Sequence, residues 1–249
     1  MQVVGYRTGD DPALVVAADG AVSAVSLDPG VELAYALGER RCAGTIQGDH
    51  HVACRRERAP YCPDHASTWV CAKCTGDCLK DEMDCYEEHA VYLAGFAPDT
   101  WKVGVTRLWR LETRLREQGA DRAAHVRTVD TGKRAREIEA GIAQTIADRV
   151  RVPRKIEGFG VPFDEAAWEA FVEPYDPIAT YAFDYGINLV ASPVPETLAA
   201  GTVRGTKGRV LLLDDSGTTY AVDLRDLVGF EVTEDGPVGD RQSSLAAFD

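Results

Sequence analysis

Lysine is scarce in this chain: only 6 of its 27 basic residues are Lys, and the rest are Arg. Long apolar runs are missing as well. Even runs such as Ala13–Ala18 and Val210–Leu213 are far below the roughly 18 to 20 residues that span a bilayer, so no membrane partner is expected. The opening MQVVGYRTGDD lacks a basic stretch followed by an apolar one, so it does not read as a secretory signal and a cytoplasmic location is expected. Internal repeats and low-complexity segments are absent too. What remains, 249 residues with 45% apolar content, suits one large globular domain or two to three small ones. The net charge of −13, taken alone, argues against a nucleic-acid partner, because phosphate binding needs positive charge.

Position changes that argument. Residues 101–136 hold ten bases (Lys102, Arg107, Arg110, Arg114, Arg116, Arg122, Arg127, Lys133, Arg134, Arg136) against four acids, so this stretch is +6 and the remainder −19. The excess of Asp and Glu over Lys resembles the composition of proteins from salt-loving archaea, whose carboxylates keep the surface hydrated. The overall acidity is then a statement about solvent, and the local +6 is a statement about a partner.

The pattern is that of an α+β protein. Residues 1–41 form an N-terminal β segment, with apolar runs punctuated by Gly-Asp-Asp-Pro, Asp-Gly and Asp-Pro-Gly turns. Residues 42–89 hold all seven cysteines and form a metal-binding module. Residues 90–150 read as strand, loop, strand, helix, loop and helix. A connecting segment, 151–200, carries one helix over Phe163–Val172. Residues 201–236 return to β, with a Ser216-Gly217 hairpin signal, and 237–249 form a flexible tail.

The cysteine spacing is the strongest local signal: Cys42-x11-Cys54-x7-Cys62-x2-His65-x5-Cys71-x2-Cys74-x3-Cys78-x6-Cys85-x3-His89. Zinc takes four tetrahedral S or N ligands, and ligands two residues apart on a tight turn grip one ion together. Nine candidates make two structural zinc sites with one ligand to spare. Cys42, Cys54, Cys62 and His65 form the first; Cys71, Cys74 or Cys78, Cys85 and His89 form the second. The alternatives are a disulfide framework, a redox pair at Cys71/Cys74, and an iron–sulfur cluster. His50 and His51 lie in a polar loop and read as solvated.

After His89, alternation places Tyr92 and Lys102 on strands that a short loop pairs as a hairpin. The next helix has Leu108, Leu111 and Leu115 as an apolar stripe, Arg107, Arg110 and Arg114 as a basic one, and ends at Gly119. Trp101 and Trp109 serve either stacking or the core, with core expected for at least one. A later helix buries Ala135, Ile138, Ile142 and Ile146, with Glu139 at the edge of that face. A Tyr-bearing strand, a second strand with Val-Gly, a helix with Arg and a later helix with Glu resemble the GIY-YIG nuclease module. The chain also resembles an archaeal and bacterial domain-of-unknown-function family that joins an upstream Cys/His cluster to a Lys102–Arg107 core and a Gln118-Gly119-Ala120 turn.

The GIY-YIG resemblance implies a small antiparallel sheet with flanking helices and a metal-dependent endonuclease acting on DNA. Tyr92 matches the Tyr that helps activate water, and Lys102 stands in place of a second Tyr. Arg114 or Arg110 matches the Arg that stabilises phosphate charge. Glu139 matches the carboxylate that holds Mg²⁺ or Mn²⁺. Lys102, Arg107, Arg110 and Arg114 are the nucleic-acid-binding candidates. The alternative is a zinc module that binds nucleic acid or protein without cleaving anything. The tail, with Gln242, Leu245 and Phe248, resembles the peptide by which replication and repair enzymes dock on the sliding clamp, although Asp249 replaces its second aromatic residue. The basic turn Arg204-Gly205-Thr206-Lys207-Gly208 lacks a phosphate-loop pattern and is assigned no chemistry.

Overall fold

A computed structural model describes residues 1–66 and 86–234; Cys71, Cys74, Cys78, Cys85 and the tail residues Gln242, Leu245 and Phe248 lie outside the described residues. The protein is mixed α+β, with two sheets. No helix among the described residues is long and apolar enough to cross a membrane.

The first sheet is built from both ends of the chain. Its N-terminal strands are β1 (Gln2–Arg7), β2 (Ala13–Ala18), β3 (Ala21–Ser26), β4 (Glu32–Arg40), β5 (Thr45–Gln47) and β6 (His50–Val52). The second sheet comes from the middle of the chain: β7 (His89–Phe96), β8 (Thr100–Arg107), β9 (Arg122–Val129) and β10 (Ala179–Ala182), all antiparallel, in the order β10-β9-β7-β8. The chain then returns to the first sheet with β11 (Val194–Pro195), β12 (Ala199–Lys207), β13 (Val210–Asp215), β14 (Thr218–Asp223) and β15 (Phe230–Glu234). The resulting order is β11-β14-β13-β12-β4-β15-β1-β2-β3-β6-β5, so the last strand is inserted between β4 and β1. The β segments read separately from the two ends of the sequence therefore share one sheet and one apolar cluster, in which Val3, Leu14 and Leu33 meet Leu211, Leu213 and Val232.

Two continuous apolar runs mark strands covered on both faces. On β13, Leu211 and Leu213 face that cluster, whereas Leu212 faces Val152, Ile156 and Phe159. Val152 and Ile156, at i and i+4 of α3 (Val152–Glu157), lay this short helix on the sheet. On β7, Ala90, Tyr92, Ala94 and Phe96 face α1 (Leu111–Gln118) through Leu111 and Leu115. Val91 and Leu93 face the other way, toward α2 (Gly132–Ile142) and α4 (Glu165–Val172). Thus α1 lies on one face of this sheet and α2 and α4 on the other. Residue 147 bridges to Lys102 and its carbonyl accepts from the Val103 N–H at 3.0 Å, covering part of the β8 edge.

Several elements depart from the sequence expectation, and the connecting segment expected to carry one helix holds α3 and β10 besides α4. β9 was expected as loop; its Ala123, Ala124 and Val126 are fully buried between the two helix layers. The helix expected at Phe163 begins at Glu165, because the Asp164 carboxylate accepts from the Ala167 N–H at 2.9 Å and caps it. Ile146 lies beyond α2, in the turn that follows, yet still packs with Ile138 and Ile142.

Candidate functional site

The first Cys/His set converges. The ligand atoms of Cys42, Cys54, Cys62 and His65 all lie within 4.8 Å of one another. Cys42 Sγ is 3.4 Å and Cys62 Sγ 3.2 Å from His65 Nδ1. Local structure makes this possible. Cys42 lies two residues past the end of β4, the β5–β6 hairpin brings Cys54 back, and the backbone turns after Cys62 with the His65 and Ala66 N–H groups donating to its carbonyl at 3.0 and 2.8 Å. The N–H groups of Cys62 and Gly44 donate to Cys42 Sγ at 3.2 and 3.5 Å. Burial works to raise the Cys62 thiol, but hydrogen bonding, led by His65, outweighs it and holds the thiol down at about 6. Burial chiefly pushes the Cys42 thiol up. None of these three cysteines is in a disulfide.

His51 corrects the sequence reading. It is buried rather than solvated, and its Nε2 lies 2.8 Å from the Ala43 carbonyl, bracing the segment beside Cys42. His50 is exposed as expected. The second expected metal set cannot be placed, because only His89 among its members is described: it opens β7, with Nδ1 2.6 Å from the Glu87 carbonyl.

Tyr92 and Lys102 do stand on paired strands, with Tyr92 opposite Gly104 and Lys102 opposite Ala94, all on the α1 face. The missing side chain of Gly104 is what admits the tyrosine: a Cβ there would sit 2.5 Å from the Tyr92 hydroxyl. Tyr92 is 1% exposed. Its hydroxyl accepts from Gln118 Nε2 at 2.7 Å, and Gln118 Oε1 accepts from Lys102 Nζ at 2.9 Å. Gln118 thus ties the two candidate residues together from the end of α1.

Arg110, in the turn that leads into α1, and Arg114, on α1, also lie on this face, and both engage Glu117, at 3.0 and 3.3 Å. Arg107 pairs with Glu87 at 3.3 Å. Trp101 is core, packed 5.2 Å from Trp168 between ring centroids, whereas Trp109 is 70% exposed with the Arg110 guanidinium 5.8 Å from its ring. Glu139 does not join them. It sits on α2, across the sheet from Tyr92, and its carboxylate accepts from Arg136 at 2.6 Å. The Mg²⁺ or Mn²⁺ site implied by the nuclease resemblance is therefore not fitted by these residues. The alternation of β7 sends Tyr92 and α2 to different faces.

Sequence reasoning missed the cations that arrive from later in the chain. Gly119 stops α1 in the left-handed conformation (φ 71°), and the turn after it packs back to back on the β12–β13 turn. A Cβ on Gly119 would come 2.9 Å from Lys207, and one on Gly208 2.6 Å from Gln118. That contact delivers Lys207, whose Nζ is 2.5 Å from Asp121, and Arg209, 2.7 Å from Asp223. α3 delivers Lys155. Its Nζ donates to the Gln118 carbonyl at 2.7 Å and lies 4.4 Å from the centroid of the Phe96 ring. Burial, and then the charge of Lys102 followed by those of Arg209, Arg114 and Lys207, lower the Lys155 amine to about 7. The run of basic residues around Gly205 and Gly208, in a chain so poor in lysine, was the available signal.

No curated protein and no solved structure matches this chain. Residues 38–232, which include the Cys42–His65 set, Tyr92, Gln118, Lys155 and Lys207, match the family described as "Protein of unknown function (DUF2797)". That stretch is more than half of the sequence, so the chain belongs to the DUF2797 family.

Proposed function

We propose that this chain is a zinc-bearing protein that binds nucleic acid, DNA in the first instance, on the sheet face carrying Lys102, Arg110 and Arg114, and does not cleave it. The observation that carries the reading is the gathering of these cations on one face with an exposed indole, Trp109, beside Arg110. Such a surface suits phosphates and stacked bases. The pairing of Arg110 and Arg114 with Glu117 is no obstacle, since partly exposed ion pairs are worth only about 0–1 kcal/mol and exchange readily for phosphate.

Zinc suits the Cys42, Cys54, Cys62 and His65 set. A tetrahedral ion bound by sulfur at about 2.3 Å puts neighbouring ligand atoms about 3.8 Å apart, within the 4.8 Å span found here. Three thiolates and one imidazole fill all four positions, leaving none for a reacting water, so the ion's role is structural. The second zinc, on the Cys71–His89 set, and docking of Gln242, Leu245 and Phe248 on the sliding clamp remain parts of the proposal carried by sequence pattern.

Binding is preferred to cleavage because Tyr92 is buried with its hydroxyl engaged and Glu139 is held on the other face. The test incubates the purified chain with flapped, nicked and linear DNA plus Mg²⁺ or Mn²⁺ at high salt, alongside Tyr92→Phe and Glu139→Ala. Retained binding with intact DNA is expected. Cleavage by the wild type that disappears in both variants would establish a nuclease instead.

A further inference from the structure

Lys102 and Lys155 differ from the other cations gathered around Gln118. Arg114 is held by Glu117, Lys207 by Asp121 and Arg209 by Asp223. Among the described residues, neither Lys102 nor Lys155 has a carboxylate within ion-pairing distance, and both donate to the same neutral residue, one to its side-chain oxygen and one to its backbone carbonyl. Each reaches that point from a different element, Lys102 from β8 and Lys155 from α3. Both residues are mostly covered yet keep some surface open to solvent. Two half-buried amines converging without a counter-charge repel each other, an arrangement that is unfavourable until an anion arrives.

We infer that Lys102 and Lys155, brought together on Gln118, form the seat of a phosphomonoester dianion. A terminal phosphate carries close to two negative charges at neutral pH and above, and three strong acceptor oxygens, which matches two amines with spare N–H donors. A phosphodiester, with a single charge, matches only half of the seat. The groups facing Lys155 are Lys102 from β8, Arg114 from α1, Lys207 from β12 and Arg209 just beyond it, all positive. Burial first, and then those charges, keep the amine largely neutral at pH 8, so an arriving dianion draws a proton onto it. Binding is therefore coupled to proton uptake at Lys155. That the phosphate belongs to a nucleic-acid strand end rests on the proposed function; the seat itself does not, and a free phosphate offers the same chemistry.

Calorimetry at pH 8, in buffers of different ionisation enthalpy, separates these cases with three probes: inorganic phosphate, an oligonucleotide with a 5′-phosphate, and the same oligonucleotide with a 5′-hydroxyl. Expected is tighter binding of the phosphorylated strand, on the order of tenfold or more, with about one proton taken up. Lys155→Met should abolish the preference and leave binding of the hydroxyl strand nearly unchanged, whereas Lys102→Met should abolish the preference and weaken binding of both strands. Lys155→Arg, whose charge is permanent, should keep the preference and lose the proton uptake, which also guards against a Met variant that misfolds. Equal binding of both strands without proton uptake overturns the seat while leaving nucleic-acid binding intact. If neither strand binds, the proposed function fails; proton-coupled binding of inorganic phosphate alone then supports the seat with a free ligand, and no phosphate binding overturns it.

Discussion

Gly104 shows how a single residue fixes the site. Its hydrogen leaves room for the Tyr92 ring, and the tyrosine in turn holds Gln118, which holds both lysines. Gly104→Ala should cost about 1–3 kcal/mol through overpacking against a fully buried ring, read as a fall in the denaturant midpoint. Lys155 gives a second expectation. Its folded-state value of about 7 lies below its ordinary 10.5, so between those limits the unfolded chain binds more protons and stability rises with pH. The contribution is full above about 10.5 and is lost as pH falls through about 7. Replacing Lys155 with Met, which keeps an apolar stem over Phe96, should flatten the rise in stability from pH 7 toward pH 10 relative to wild type. Tyr92 and Lys102 were legible because a strand pattern and a Val-Gly pair flank them. Lys155 was not, because its neighbours are set by where α3 lands on β13, about 50 residues away in sequence.

At the scale of elements, the short β5–β6 hairpin is where a metal held by the Cys42–His65 set would matter most. Strands of three residues are marginal alone, and this hairpin is followed by Cys54 and flanked by Cys42 and Cys62. If zinc ties those ends together, treatment with a strong chelator should abolish amide-exchange protection in 45–52 and leave β12–β13 protected. Equal protection with and without chelator would mean that strand pairing alone suffices. The convergence of Cys42, Cys54, Cys62 and His65 could be read from spacing because a metal site demands such a clustering of Cys and His. β9 could not be read: Arg122-Ala-Ala-His-Val-Arg-Thr-Val has alanines of low strand propensity where a central strand usually carries β-branched residues. The alanines are there because helices pack closely against both sides of the strand.

At the scale of the whole molecule, the alternating apolar runs at both ends of the sequence foretold strands, but not that β15 would join β4 to β1. Pairing between residues more than 200 positions apart leaves no trace in local pattern. A fragment of residues 1–66 lacks β15 and the leucines of β13, and should show no cooperative unfolding by circular dichroism. The same closure of the sheet places the β12–β13 turn against Gln118 and completes the cationic face, so chain ends and site are made by one topology. Whether this face binds nucleic acid through phosphates is read from the salt dependence of DNA affinity in wild type and in Arg110→Ala/Arg114→Ala. Affinity should fall linearly on a log–log plot, with the slope in the double variant shallower by about 1.8. An unchanged slope, or no binding by the wild type at low salt, would contradict it.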